Sequence, residues 1–213
     1  MTGRAVLASD LSGVVLDFQP RRVMATRVGD DVATAFFAEV ATKEWFGRSD
    51  VEPDLSAMCA AAAATKPMFA ECLRLWAEEY VQFYVGLLPG AEQFLDWAAG
   101  TGVKTYAASN APAGLWPQLL ARFPPLRSFD GVLLSGDVGV AKPSARFFDL
   151  LAELAVLGRG DRLLFLDDRA DHCSAARRCG FDAFYVHGPS GLRGAGAEAW
   201  LRDCENHVLR EEC

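Results

Sequence analysis

The 213-residue chain lacks the excess of positive charge that nucleic-acid and anionic-membrane surfaces require. Its 28 acidic and 21 basic side chains leave a formal net charge of −7. No partner of either kind is expected, although a locally positive site for a small anion stays open. It also lacks any apolar run of membrane-spanning length. The first such run, "AVL" at Ala5–Leu7, is too short for a signal-peptide core, so a cytoplasmic location is expected. The six cysteines (Cys59, Cys72, Cys173, Cys179, Cys204, Cys213) include no C-x-x-C pair and read as reduced thiols. His172, Cys173 and Cys179 match no common zinc-ligand spacing. Repeats, low-complexity tails and long charge runs are missing too. What is present, 51% hydrophobic and 23% charged residues, suits one sizeable globular core or a core with a modest insertion.

Five short β-type runs end in polar or glycine-containing sequence: Ala5–Ser9, Val103–Ala108, Val132–Ser135, Leu163–Leu166 and Ala183–Val186. Most are continuously apolar, as strands buried on both faces must be. Between them the spacing turns helical, as in Phe147, Phe148, Leu151 and Leu154, or Ala175, Ala176 and Cys179 before Gly180. This alternation predicts an α/β fold with a Rossmann-like parallel sheet flanked by helices. From about Arg21 to Gly86 no strand is evident. Val32, Phe36 and Val40, then Phe69, Leu73, Trp76, Tyr80 and Phe83, keep a helical period. The expected division is a core of residues 1–20 and 87–213 with a small all-helical cap, 21–86, inserted after the first strand. The last helix, around Ala197–Arg210, reads as a solvated, mixed-charge element.

Ligands of a parallel sheet bind beyond the carboxyl ends of its strands. The polar residues there are Asp10 after the first run, Ser109 and Asn110 after the second, Lys142 after the third, and Asp167, Asp168, Asp171 and His172 after the fourth. Each alone is also what a turn or helix cap would carry. As an ordered set they are chemically specific.

With these residues in place, "SDLSGVVLDF", "ASNA", "GVAKPSARFF" and "FLDDRADH" resemble the four motifs of the haloacid dehalogenase (HAD) superfamily, over nearly the whole chain. The details are most similar to phosphatases of the alpha-glucose-1-phosphate phosphatase type and to the phosphatase domain of soluble epoxide hydrolases. The resemblance implies a Mg²⁺-dependent phosphatase of a small phosphorylated metabolite, monomeric or homodimeric. Asp10 would be the nucleophile, forming an aspartyl-phosphate. Asp10, the carbonyl of Ser12 and Asp168 would hold Mg²⁺, with Asp167 the next candidate and Asp171 and His172 in support. Lys142 would pair with Asp10 and neutralise phosphoryl oxygens. Ser109, with backbone N–H groups around Asn110 and Gly13, would hydrogen-bond them.

One position departs from that pattern. Ser12 stands where most family phosphatases carry the Asp that protonates the leaving group, a step worth about 10²- to 10⁴-fold. A substitute acid from Asp171, His172 or the cap is a further expectation, and Asp17 reads as structural, near the cap hinge. Two other functions compete. A 2-haloacid dehalogenase needs no such proton and would draw on Arg21, Arg22, Arg27 or Arg48 for its anion. A catalytically impaired binding or regulatory protein would keep only the fold. Trp45, Phe46 and Trp76 read as lid core.

Overall fold

The first apolar run folds as the middle strand of a parallel sheet. The computed structural model describes residues 3–187, 192 and 195–211. Among them the strands are β1 (Ala5–Ser9), β2 (Leu16–Phe18), β3 (Tyr84–Leu87), β4 (Lys104–Ser109), β5 (Gly131–Leu134), β6 (Arg162–Asp167) and β7 (Asp182–Tyr185). The sheet runs β5-β4-β1-β6-β7, all parallel. Its strands are the five expected from the sequence, with every boundary within one residue. Alternate side chains serve two cores. Leu7, Ala107, Leu134, Leu164 and Leu166 face one way. Val6, Ala8, Ala108, Leu133, Leu163 and Phe165 face the other. Burial on both faces is why these runs are continuously apolar.

The helices are α1 (Pro20–Val28), α2 (Asp30–Glu39), α3 (Lys43–Ser49), α4 (Leu55–Thr65), α5 (Ala70–Glu78), α6 (Ala91–Thr101), α7 (Trp116–Arg122), α8 (Ser135–Val138), α9 (Ala145–Leu154), α10 (Ala170–Arg178) and α11 (Ala195–Glu211). Those from α1 to α5 all lie between β2 and β3. No helix among the described residues is long and apolar enough to cross a membrane.

Three expectations change here. The stretch read as strand-free ends in β3, which pairs antiparallel with β2 through Leu16 opposite Leu87. Its four residues, with Gly86 inside, are too few to show a period, and the pairing is made in the tertiary structure. Val32 is exposed, whereas Phe36 and Val40 are buried as expected and Ala33 is buried with them. Finally, α11 is more than a solvated face. Ala197, Trp200, Leu201 and Cys204 are buried, and Trp200 Nε1 donates to Asp182 Oδ2 at 2.7 Å.

Phe69, Leu73, Trp76, Tyr80 and Phe83 are all buried, as their spacing predicts. They are shared between α5 and two short 3₁₀ turns, Pro67–Phe69 and Tyr80–Phe83. Trp76 lies with ring centroids 5.1–6.3 Å from Phe36, Phe37, Trp45, Phe46, Tyr80 and Phe83. This aromatic cluster holds the inserted helices together.

Candidate active site

Asp10 is the first residue past β1, and its N–H donates to Leu166 O at 2.8 Å, so its carboxylate stands at the carboxyl edge of the sheet. Oδ1 accepts from Ser109 Oγ at 2.6 Å and from the Leu11 N–H at 2.7 Å. Oδ2 lies 3.0 Å from Lys142 Nζ. The Lys142 ammonium also donates to Ala108 O at 2.9 Å and to Asp167 Oδ2 at 2.7 Å. Its three protons are therefore all in use, and the side chain is fully buried. Lys142 is placed to hold Asp10 and offset its charge, with no proton spare for a phosphoryl oxygen. Asn110 is spent in the same way. Its Oδ1 accepts from Lys142 N at 2.9 Å and its Nδ2 donates to Lys142 O at 3.0 Å, fixing the lysine's backbone. The Gly13 N–H, a second expected phosphate donor, goes to Leu16 O at 2.9 Å.

The two aspartates that end β6 differ sharply. Asp167 is fully buried and its oxygens serve Lys142, the Arg169 N–H (2.8 Å) and His172 Nδ1 (3.0 and 3.1 Å). Ligating atoms of Asp10, Asp167 and His172 lie within 4.8 Å of one another. Asp167 nevertheless has its lone pairs occupied, which leaves it a poor ligand compared with its neighbour. Burial acts upward on its carboxyl, but the Lys142 charge and His172 outweigh this and hold it at about 2. Asp168 lines the cavity instead, and burial, with the Asp10 and Asp167 charges, pushes it up to about 6. It is seated against Gly13, whose φ is 78°. A Cβ at Gly13 would fall 2.2 Å from Asp168 Oδ2. Gly13→Ala is therefore expected to displace Asp168 and to cost at least about 1–2 kcal/mol from the left-handed backbone alone, measurable by urea unfolding.

His172 is buried in the first turn of α10, and its Nε2 has no partner among the described residues. Asp171 faces outward and pairs with Arg169 at 2.7 Å. Asp17 accepts from Gln19 Nε2 at 2.7 Å on β2. Cys173 Sγ points to the Asp167 and Phe184 carbonyls. Cys59, Cys72, Cys173 and Cys179 are free thiols, and Cys213 lies outside the described residues.

A cavity of about 280 Å³ opens above Asp10. Its floor is Asp10, Ser12, Gly13, Asn110, Asp168, Arg169 and His172, and its roof is Phe18, Phe46, Asp50 and Tyr80. Trp45 and Trp76 belong to the buried core, whereas Phe46 reaches the cavity. Ser12 Oγ lies 3.1 Å from the buried Tyr84 hydroxyl. Asp50 is the residue that reading the sequence missed. It follows α3, distant from any strand, and only the fold-back of the inserted helices brings it here. Burial and the Asp10 charge push its carboxyl up to about 7. Arg21 pairs with Asp30 and Arg27 with Glu79, and none of Arg21, Arg22, Arg27 or Arg48 lines this cavity.

The site therefore holds more carboxylate than cation. Asp10, Asp50 and Asp168 are all raised, against the charges of the buried Lys142 and of Arg169, which is paired with Asp171.

A family model of haloacid dehalogenase-like hydrolases matches residues 5–180. No curated protein sequence matches the chain. Similar solved structures include HAD family enzyme bt-2542 from Bacteroides thetaiotaomicron, in complex with magnesium and inorganic phosphate. It is 18% identical, with a TM-score of 0.61, covering 87% of this chain and 96% of that one. L-2-haloacid dehalogenase from Xanthobacter autotrophicus, with chloropropionic acid covalently bound, is 18% identical at a TM-score of 0.60, covering 87% and 78%. Beta-phosphoglucomutase from Clostridium difficile is 15% identical at 0.58, covering 98% and 99%. At such identities the likeness is one of fold.

Proposed function

We propose, because this chain belongs to the haloacid dehalogenase-like hydrolases, that it hydrolyses a small phosphorylated metabolite through an aspartyl-phosphate on Asp10. The observation that carries this reading is the surplus of carboxylates around Asp10. Three raised carboxyls facing one cavity fit a hard divalent cation. Asp10, Asp168 and the Ser12 carbonyl would hold Mg²⁺, which when bound offsets the charge of a phosphate dianion.

The chain's own residues do the rest. Ser109, Leu11 N–H and Lys142 fix the Asp10 carboxylate so that it meets phosphorus without reorganising. Burial raises the Asp10 carboxyl, and the Lys142 charge acts against that rise. Asn110 and Asp167 hold the lysine in turn. The helices from α1 to α5 act as a cap, residues 21–86, whose Phe46 and Tyr80 close over the reacting group and exclude water. A cavity of this size under an aromatic roof favours a small organic phosphate, of the sugar-phosphate kind, over a folded protein substrate. The dehalogenase reading is weakened because no cap arginine reaches the cavity, while a buried carboxylate cluster repels a haloacid carboxylate.

The test is phosphate release from an activated aryl phosphate with Mg²⁺ and with chelator. Release that needs Mg²⁺ and disappears with chelator is expected. Halide release from a 2-haloacid, unaffected by chelator, would replace this reading with the dehalogenase one.

A further inference from the structure

Ser12 leaves the loop after β1 without an acid, and the structure shows what stands in the same cavity. We propose that Asp50, carried in by the cap, is the general acid and base of this site, an inference that rests on the phosphatase reading above. Three observations place it there.

The first is position. Asp50 lines the cavity with Asp10, Ser12 and Asp168 although it comes from the inserted helices. The second is anchorage. Its main-chain carbonyl accepts a hydrogen bond from Ser135 Oγ at 2.5 Å. Ser135 is fully buried at the start of α8, and its Oγ also accepts from the Ala111 N–H at 2.9 Å. The cap residue is thereby pinned to the sheet edge that carries Ser109, and its N–H is tied to Phe46 O at 2.9 Å. The third is availability. Among the described residues the Asp50 carboxyl has no hydrogen bond or ion pair of its own, to Asp10 and Asp168 or to any other group.

The alternatives are each committed elsewhere or closed off. Asp167 serves Lys142 and His172, Asp171 is paired with Arg169 outside, and Asp17 accepts from Gln19. The Ser12 hydroxyl shares a hydrogen bond with Tyr84, whose phenol burial pushes upward, away from neutral. His172 Nε2 is closed off from solvent. Burial pushes the Asp50 carboxyl upward, the direction a proton donor at neutral pH needs.

The chemistry balances in two steps. An Asp10 oxygen bonds to phosphorus as the ester P–O bond breaks, and the electron pair goes to the departing oxygen. That oxygen takes the Asp50 proton and leaves as the alcohol. Water then attacks phosphorus of the aspartyl-phosphate, gives its proton to the Asp50 carboxylate, and releases phosphate with Asp10 restored.

The experiment is kcat/KM for a p-nitrophenyl ester and an alkyl phosphate, in wild type, Asp50→Asn and Asp50→Ala, with Mg²⁺ present. This parameter reports the first bond-breaking step, where the leaving group needs the proton. Both variants should lose about 10²- to 10⁴-fold on the alkyl ester but less than about tenfold on the aryl ester, which leaves unaided. Equal losses on both esters, or no loss on either, overturn the proposal while leaving the phosphatase reading intact. A steep leaving-group dependence already present in wild type overturns it too. Absence of phosphate release from either ester by wild type overturns both.

Discussion

Asp10→Asn is expected to fold and to release no measurable phosphate. Removing the nucleophile leaves no atom able to form the covalent intermediate, and losses of at least about 10⁴-fold accompany such changes in enzymes that act through one. The fold should survive because the amide is isosteric and its surroundings already supply donors. It will not be neutral, however. Oδ1 now accepts from Ser109 and the Leu11 N–H, and Oδ2 faces the Lys142 ammonium. An amide has only one oxygen, so its NH₂ must face a donor on one side or the other. One mispaired donor in a buried site costs about 1–3 kcal/mol. Against this, Asp50 and Asp168 lose the neighbouring charge that helps to raise them. Phosphate release and a urea unfolding curve on the same preparation would check both halves.

Lys142→Met should have the largest effect on stability. Methionine matches the apolar stem, but the ammonium it deletes is shared by two buried carboxylates at 2.7 and 3.0 Å. Removing one partner of such a cluster costs about 3–5 kcal/mol, and turnover should fall with it because Asp10 loses its positioning cation. The pH dependence follows from Asp167. Its carboxyl sits at about 2 in the fold, below the ordinary value of about 3.9. The stability it contributes is fully present above about pH 4 and is lost as pH falls towards 2. In Lys142→Met that contribution is gone, and acid lets the orphaned carboxylates take up protons. The gap between variant and wild type should be widest above about pH 4 and shrink below it. A gap that stays constant across that range would show that the lysine acts through packing.

The site's floor was legible for a physical reason. Asp10, Ser109 and Asp168 each fall at or just past the end of a run buried on both faces, so strand polarity alone delivers them to one edge. The resemblance to known motifs then supplied their chemistry. How the donors are shared was not legible. That Lys142 has no proton left, that Asn110 clasps its backbone and that Asp167 turns away from the cavity depend on distances between loops far apart in the chain. Asp50 was hidden most deeply. Nothing in "GRSDVEPD" marks it, because its place depends on the Trp76 cluster holding the inserted helices together and on Ser135 reaching across to its carbonyl. β2 and β3 escaped notice for a similar reason, each being too short to show a period apart from its partner.

The proposed hydrolysis turns on a covalent bond between Asp10 and phosphorus. The most direct measurement is mass spectrometry of protein quenched in acid during turnover of a phosphate ester with Mg²⁺. Phosphate on the peptide containing Asp10, present in wild type and missing from Asp10→Asn, is the predicted result. Sustained phosphate release with Asp10 unmodified, or undiminished in the variant, would contradict it.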